Sequence, residues 1–374
     1  MKKVGAEREI TFDKNLRYAR QKDYDVKEYE RVPYHFKDAG DKQVYKNFNF
    51  SIFVDDICNA DCKFCVAQLR YAHRNILYNK VHIKNKREYL RRLEEVLKIV
   101  RPLNPSISIT GGEPTISPIL TDVLKLIDKY KFRKRTITTN GSGLFNIQDG
   151  DTILNNLIKY NWDHLNISRT SYDDNINRKI MRYEKDSEYS SMEDLKKILD
   201  ITNKSNLKHR ISCLLLKESV NSVEEIKKYV DEYIKVGANN FIFRELMDYD
   251  HKAVNKEKID YCDSNKIKLN DIWEDFEKYP ELKPYLNILG YYYYVEIYKY
   301  KGCTIASESA NLNQQYIEKE KNNDTVYEMV FHTNGNLCGG WIDNEEILDK
   351  YEGFIEFNEE EKDTYQNRNI AYAE

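Results

Sequence analysis

From Phe48 to Phe243 the chain alternates between short β-like runs and stretches with helical periodicity. The β-like runs are Phe48–Val54, Ser106–Thr110, Arg135–Thr139, Leu165–Ser168, Arg210–Leu216 and Asn240–Phe243. Between them lie Lys86–Val100, Ile119–Tyr130, Asp151–Tyr160, Ser191–Thr202 and Ser222–Val236. Each helical stretch places apolar residues at i, i+3, i+4 and i+7, a single buried stripe. Two of them open as capping boxes, "SMED" and "SVEE", where a serine is followed three residues later by an acid. Gly237 follows the last turn of the second of these, a helix-ending signal. Six β/α units in series imply a parallel sheet with right-handed crossovers. Eight would close a barrel, so six predict an α/β fold with a partial (β/α)6 TIM-like barrel, or a doubly wound sheet.

The flanks read differently. Residues 1–47 are charged and weakly periodic, which predicts an N-terminal extension with short helices. After about residue 250 the alternation stops. "DIWEDFEKY" (Asp271–Tyr279) reads as a helix, and "LGYYYYVEIYKYKGC", "TVYEMVFH" and "NLCGGWI" read as strands. The last two are joined by Thr333–Gly335, a hairpin signal. The expected organisation is therefore 1–47 as extension, 48–250 as core and 251–374 as a smaller β-containing C-terminal cap. Lysine plus arginine number 59 and aspartate plus glutamate 62, a net charge of −3. That balance argues against general nucleic-acid or anionic-membrane binding. No apolar run approaches the roughly 18–20 residues of a membrane span. "MKKVGAEREITFDKN" has no apolar stretch after its lysines, so no secretory signal is read and a cytoplasmic location is expected. Seven unevenly spaced cysteines do not suggest a disulfide framework.

Three of those cysteines, Cys58, Cys62 and Cys65, fall in "CNADCKFC", just after the first β-like run. A helix would place them at i, i+4 and i+7 as a core stripe, but Asn59, Asp61 and Lys63 interrupt it. A structural zinc site takes four protein ligands, and no familiar fourth stands nearby. The remaining reading is an iron–sulfur cluster held by thiolates with one iron left open to bind something. Downstream, "SISITGGEP" runs a strand into Gly111, Gly112, Glu113 and Pro114. Alone this is a turn. Two glycines also let backbone approach a ligand closely, and Glu113 can accept from an ammonium.

CxxxCxxC after the first strand, followed one β/α unit later by GGEP, resembles the radical S-adenosylmethionine (radical SAM) superfamily, over roughly Phe48–Asp248. The resemblance implies a [4Fe–4S] cluster on Cys58, Cys62 and Cys65. Its open iron would chelate S-adenosylmethionine, cleaved to a 5′-deoxyadenosyl radical that abstracts hydrogen from substrate. It implies SAM contacts from Gly111, Gly112, Glu113 and Pro114. It adds Thr139 and Asn140 in "TNG", and Ser168 and Arg169 at the end of the fourth strand, where the bland reading is a strand cap and a surface arginine. Phe64 and Ile242, in "NNFIFRELMD", would lie against adenine. Arg182 resembles an arginine of some members but is as readily an exposed helix residue. The fifth and sixth units resemble the branch containing the molybdenum-cofactor GTP cyclase and peptide maturases. The end of the chain, "YQNRNIAYAE", lacks that cyclase's glycine-rich tail, so its activity is not carried over.

Four cysteines remain. Cys213 reads as core and Cys262 is uninformative. Cys303 and Cys338 sit where relatives carry auxiliary Fe–S clusters, but with too few partners for a full ligand set, so a cluster-free cap is expected. The expected substrate is a peptide. A small metabolite or nucleotide is the alternative, and a non-catalytic Fe–S or zinc module is the rival class. A flavodoxin- or ferredoxin-like electron donor is implied as partner.

Overall fold

The structure, a computed structural model, describes residues 8–15, 17, 30–72, 81–290 and 292–353. Six strands stand side by side in chain order: β1 (Asn49–Phe53), β2 (Ser106–Thr110), β3 (Lys134–Thr139), β4 (His164–Ser168), β5 (Lys208–Leu214) and β6 (Asn240–Arg244). All five pairings are parallel. The crossovers carry α1 (Lys86–Val100), α2 (Leu120–Asp128), α3 (Ile153–Lys159), α4 (Asp174–Met181), α5 (Met192–Thr202) and α6 (Val223–Ile234).

Local chemistry sets these boundaries. Asn85 caps α1, its side chain accepting from the backbone N–H groups of Arg87 and Glu88. The Ser191–Asp194 capping box of α5 is formed in both directions. Ser222 caps α6 by accepting from Glu225 N. α4 is not expected from periodicity, since its eight residues are mostly polar; Asp173 starts it by accepting from the backbone N–H groups of Asn175 and Ile176. Along each strand one set of alternate residues, such as Ile107, Ile109, Leu165, Ile167, Ile211 and Phe241, packs against the helices in one continuous core. The other set points into the barrel.

The C-terminal third joins this same sheet. It supplies β7 (Lys283–Leu289), β8 (Tyr293–Tyr300), β9 (Cys303–Ala310), β10 (Met329–Phe331), β11 (Leu337–Cys338) and β12 (Ile347–Asp349). β9 lies parallel to β6, and β10 lies parallel to β1. Eight parallel strands therefore stand in the order β9-β6-β5-β4-β3-β2-β1-β10. A segment containing α7 (Lys256–Asn265) and α8 (Leu269–Phe276) leads from β6 towards β7, and α9 (Leu312–Lys321) joins β9 to β10. β9 and β10 are not paired with each other, so the barrel is open at that seam. Beyond them the sheet continues through β8, β7 and Arg8–Thr11 on one side, and β11 and β12 on the other. The hairpin expected at Thr333–Gly335 joins β10 to β11, with Phe331 opposite Leu337 and Val330 opposite Cys338.

In the N-terminal extension, strands replace the expected short helices among the described residues. Arg31–Phe36 and Gly40–Tyr45 form an antiparallel hairpin, and Thr325–Val326 pairs parallel with the second strand. Gly40, with φ 69°, supplies the turn. Residues 365–374, the tail "YQNRNIAYAE", lie outside the described residues. Among the described residues no helix is long and apolar enough to cross a membrane.

Candidate active site

At the C-terminal ends of the parallel strands lies a cavity of about 300 Å³. This is where ligands bind in such sheets. The loop after β1 forms one wall, contributing Cys58, Cys62, Phe64 and Cys65. The loop after β2 contributes Gly111, Gly112 and Glu113, the end of β3 contributes Thr139 and Asn140, and the end of β4 contributes Ser168.

The cysteine loop is not a helix. It is held by long-range bonds. Asp61 N donates to Arg182 O at 3.0 Å, and Lys63 N donates to Ile180 O at 3.2 Å. The carboxylate of Asp61, buried, takes the Lys258 ammonium on one oxygen at 2.7 Å and the Arg182 guanidinium on the other at 3.1 Å. Lys258 also donates to the carbonyl of Cys62 at 2.7 Å. Arg182 is thus a structural clamp on this loop.

Cys58 and Cys62 sit in an apolar shell with Ala60, Met181 and Tyr183. Burial pushes all three thiols up, and the charge of a neighbouring cysteine adds to the effect at Cys58 and Cys62. Such thiols stay protonated alone and ionise only against a strong local cation. Among the described residues no group of three or more His, Cys, Asp or Glu side chains is gathered round a single-ion position. The donor set is three soft thiols on one cavity wall. That suits a multi-iron cluster, in which each thiolate takes its own iron.

The two glycines of GGEP are required by a close approach, though to protein. A Cβ on Gly111 would stand 2.2 Å from Asp55 O, and one on Gly112 would stand 2.0 Å from Ile57 O. There Gly112 N donates to Asp55 O and Glu113 N to Ile57 O, each at 2.9 Å. The strand end therefore zips onto the segment that leads into Cys58. Glu113 is buried and heavily engaged. One oxygen accepts from Thr115 N at 2.9 Å, Thr115 Oγ1 at 2.6 Å and Thr139 Oγ1 at 2.5 Å; the other accepts from Asn140 N at 2.6 Å. Burial raises its pKa and these bonds oppose the rise. Asn140 reaches on to Asn59 Oδ1 at 2.9 Å, inside the cysteine motif. The three motifs are one hydrogen-bonded unit.

Three of the residues singled out in the sequence do not line the cavity. Pro114 begins the short turn Pro114–Ile116 behind it. Ile242 packs with Val295 and Ala306. Arg169 is fully buried on the helix side, donating to Tyr233 Oη at 3.0 Å, Tyr189 Oη at 3.0 Å and Ser190 O at 2.5 Å, and pairing with Asp174. Ser168 points inward, so its neighbour must point outward. Conversely, no motif marked Tyr292, Leu312, Gln315 and Trp341, which line the cavity from the two sides of the open seam. Thr333 Oγ1 donates to Asp56 Oδ2 at 2.5 Å, tying the hairpin to the approach of the cysteine loop.

Comparison with known proteins fits this geometry. A family model described as the radical SAM superfamily matches residues 52–230. The chain is 25% identical over 201 residues to a protein named probable GTP 3′,8-cyclase of Thermoplasma volcanium, covering 53% of each. It thus spans about half the length of that relative. Among solved structures, SuiB of Streptococcus suis bound to S-adenosylmethionine superposes with TM-score 0.45 at 17% identity, covering 79% of this chain and 58% of that one. The methyltransferase TsrM of Kitasatospora setae gives 0.39 at 14%, covering 53% and 36%. The matched segment runs from β1 into α6 and contains every motif that meets at the cavity, and over that segment the chain is similar to the radical SAM superfamily.

Proposed function

We propose that this chain is a radical SAM enzyme in which Cys58, Cys62 and Cys65 hold a [4Fe–4S] cluster and the adjoining cavity takes S-adenosylmethionine and substrate. The observation that supports this most is the convergence of three half-buried thiols, Gly111, Gly112, Glu113, Thr139, Asn140 and Ser168 on one cavity. When bound, the cluster supplies the electron that splits S-adenosylmethionine to methionine and a 5′-deoxyadenosyl radical, which takes hydrogen from substrate.

The chain's own residues bind, orient and exclude water. The cavity-facing backbone of Gly111 and Gly112, with the Ser168 hydroxyl, offers polar contacts to the methionyl and ribose groups. Phe64 offers an apolar face to adenine. Phe53, Met181, Met247 and Trp341 give the cavity a mainly apolar wall, which keeps water from a reactive species. Arg169 from behind the cavity and Glu113 within its wall hold the strand-end loops in register. The reading includes an external electron donor such as a flavodoxin or ferredoxin. The substrate class, peptide or small metabolite, is taken up below.

Anaerobic reconstitution with iron and sulfide tests this. The parent should gain a visible band that dithionite bleaches, and should form 5′-deoxyadenosine from S-adenosylmethionine. Three thiolates leave none redundant, so Cys58→Ala, Cys62→Ala and Cys65→Ala should each abolish that product. Turnover retained in any one of them would overturn the assignment. A bleachable band with no 5′-deoxyadenosine would favour a non-catalytic iron–sulfur module.

A further inference from the structure

A closed β/α barrel fills its interior with branched apolar side chains. Here several inward positions beneath the cavity are polar or charged, although Ile242 and Ala306 on β6 and β9 are apolar. The strand registers place Asn166 beside Arg210 and Ser168 beside Ser212 on β4 and β5, and Arg244 beside Glu308 on β6 and β9. This layer is continuous with the cavity: Asn166 Nδ2 donates to Thr138 Oγ1 at 3.4 Å, and Thr138 and Ser168 both line the cavity. Arg244 is anchored, donating to Glu308 Oε1 at 2.9 Å and to Ser212 Oγ at 3.0 Å. Arg210 is not. Its Nε is buried without a hydrogen-bond partner, and so is the side-chain oxygen of Asn166 beside it.

We propose that this layer is a subsite for an oxyanion of the substrate, a carboxylate or a phosphate, held by Arg210 and Arg244. Two guanidinium groups share one carboxylate, which leaves a net positive charge in the lumen. A buried, unpaired guanidinium N–H is costly unless something accepts from it. Water can accept the bond but cannot balance the charge. An oxyanion does both, and the guanidinium fork matches its geometry. Burial and the neighbouring Arg244 charge lower the Arg210 pKa, while Glu308 opposes this, as expected where cations exceed anions. Calling the ligand the substrate rests on the reading of the cavity as a radical SAM site; the subsite itself does not.

The test is calorimetric titration of the reconstituted protein, with S-adenosylmethionine present, using pyrophosphate, inorganic phosphate and glutarate as probes. The parent should bind at least one of them. Arg210→Met should weaken that binding roughly tenfold to a hundredfold, the range of a charge-assisted hydrogen bond. Glu308→Gln, which removes the competing carboxylate, should tighten it. A merely structural role for either residue would not produce opposite shifts. Preference for the phosphates points to a phosphorylated metabolite, and preference for glutarate to a carboxylate such as an acidic peptide side chain. No anion binding by the parent overturns the proposal, as does binding that neither substitution moves. If Arg210→Met fails to fold, Glu308→Gln decides, and absence of tightening overturns it. Heat of binding needs no turnover. A parent that binds anions through Arg210 but forms no 5′-deoxyadenosine would refute the radical reading alone. One that forms it with no Arg210-dependent binding would refute the subsite alone.

Discussion

Glu113 shows how much a single side chain's surroundings change its reading. In the sequence it is an acid that can meet an ammonium. In the fold it closes two loops: its oxygens separately accept the backbone N–H groups of Thr115 and Asn140. Those two donors lie on different oxygens, and an amide has only one. Glu113→Gln must therefore leave one buried N–H unpaired whichever way the amide turns, at a cost of about 1–3 kcal/mol. Denaturant unfolding of the variant should show that loss, and S-adenosylmethionine affinity should fall with it because the loops that form the cavity wall are the ones released. Unchanged stability would show that the carboxylate clamps nothing. Arg169 carries the complementary lesson. It follows inward-facing Ser168 on a strand, so period-two alternation alone sends it to the helix side, where Tyr233, Tyr189 and Asp174 receive it. The motif suggested a ligand contact, while the strand geometry excluded it.

At the scale of elements, the site is held by parts that the motifs do not contain. α7 delivers Lys258 to the cysteine loop, where its ammonium meets Asp61 Oδ1 and the carbonyls of Asp61 and Cys62. Lys258→Met leaves Asp61 buried with Arg182 as its remaining cation, and two carbonyls without this donor. Breaking such a buried pair costs about 3 kcal/mol. The variant should unfold at lower denaturant and retain less iron after reconstitution, measured per chain; full iron retention would count against the clamp. A second element-level prediction concerns pH. His209, at the start of β5, is buried; its Nδ1 pairs with Thr202 Oγ1 at 3.0 Å and its Nε2 accepts from Asn239 N at 3.3 Å. Burial lowers its pKa from 6.5 to about 4. The folded form thus binds the proton less readily than the unfolded one. Its stabilising contribution is complete above pH 6.5 and is lost as the pH falls towards about 4. At about 1.4 kcal/mol per pH unit that loss is on the order of 3 kcal/mol. His209→Gln should flatten this acid limb of the stability curve relative to the parent; parallel curves would refute it.

At the scale of the molecule, what the sequence made legible was what repeats or what chemistry restricts. Six β/α units and their caps announce themselves because a buried stripe needs regular spacing. Cys58, Cys62, Cys65 and GGEP announce themselves because few residue types serve at those positions. The seventh and eighth parallel strands were illegible. β9 belongs to an antiparallel run with β8, so its pairing with β6 depends on a distant neighbour, and β10 is three residues long. The polar lumen was legible in principle: buried parallel strands read as continuous apolar runs, whereas "LNIS" and "RISCL" alternate. This placement of the C-terminal strands bears on the remaining cysteines. Cys303 opens β9, buried in the main core with its sulfur towards Ala238 O. Cys338 is buried on β11 opposite Val330. Cys262 packs on α7 against Leu216 and Leu246. None of the three is among the residues lining the cavity that Cys58, Cys62 and Cys65 share. Cys303 and Cys262 fill separate pieces of apolar core, and a second cubane cluster is usually held by four thiolates. The Cys303→Ala, Cys338→Ala double variant should therefore bind about four irons per chain, as the parent should, the content of one [4Fe–4S] cluster. Its cost should be packing alone, about 1–2 kcal/mol for each buried side chain shortened. Iron analysis decides it. About eight irons in the parent, falling to about four in the variant, would reveal a second cluster and show that the C-terminal strands do more than complete the barrel wall.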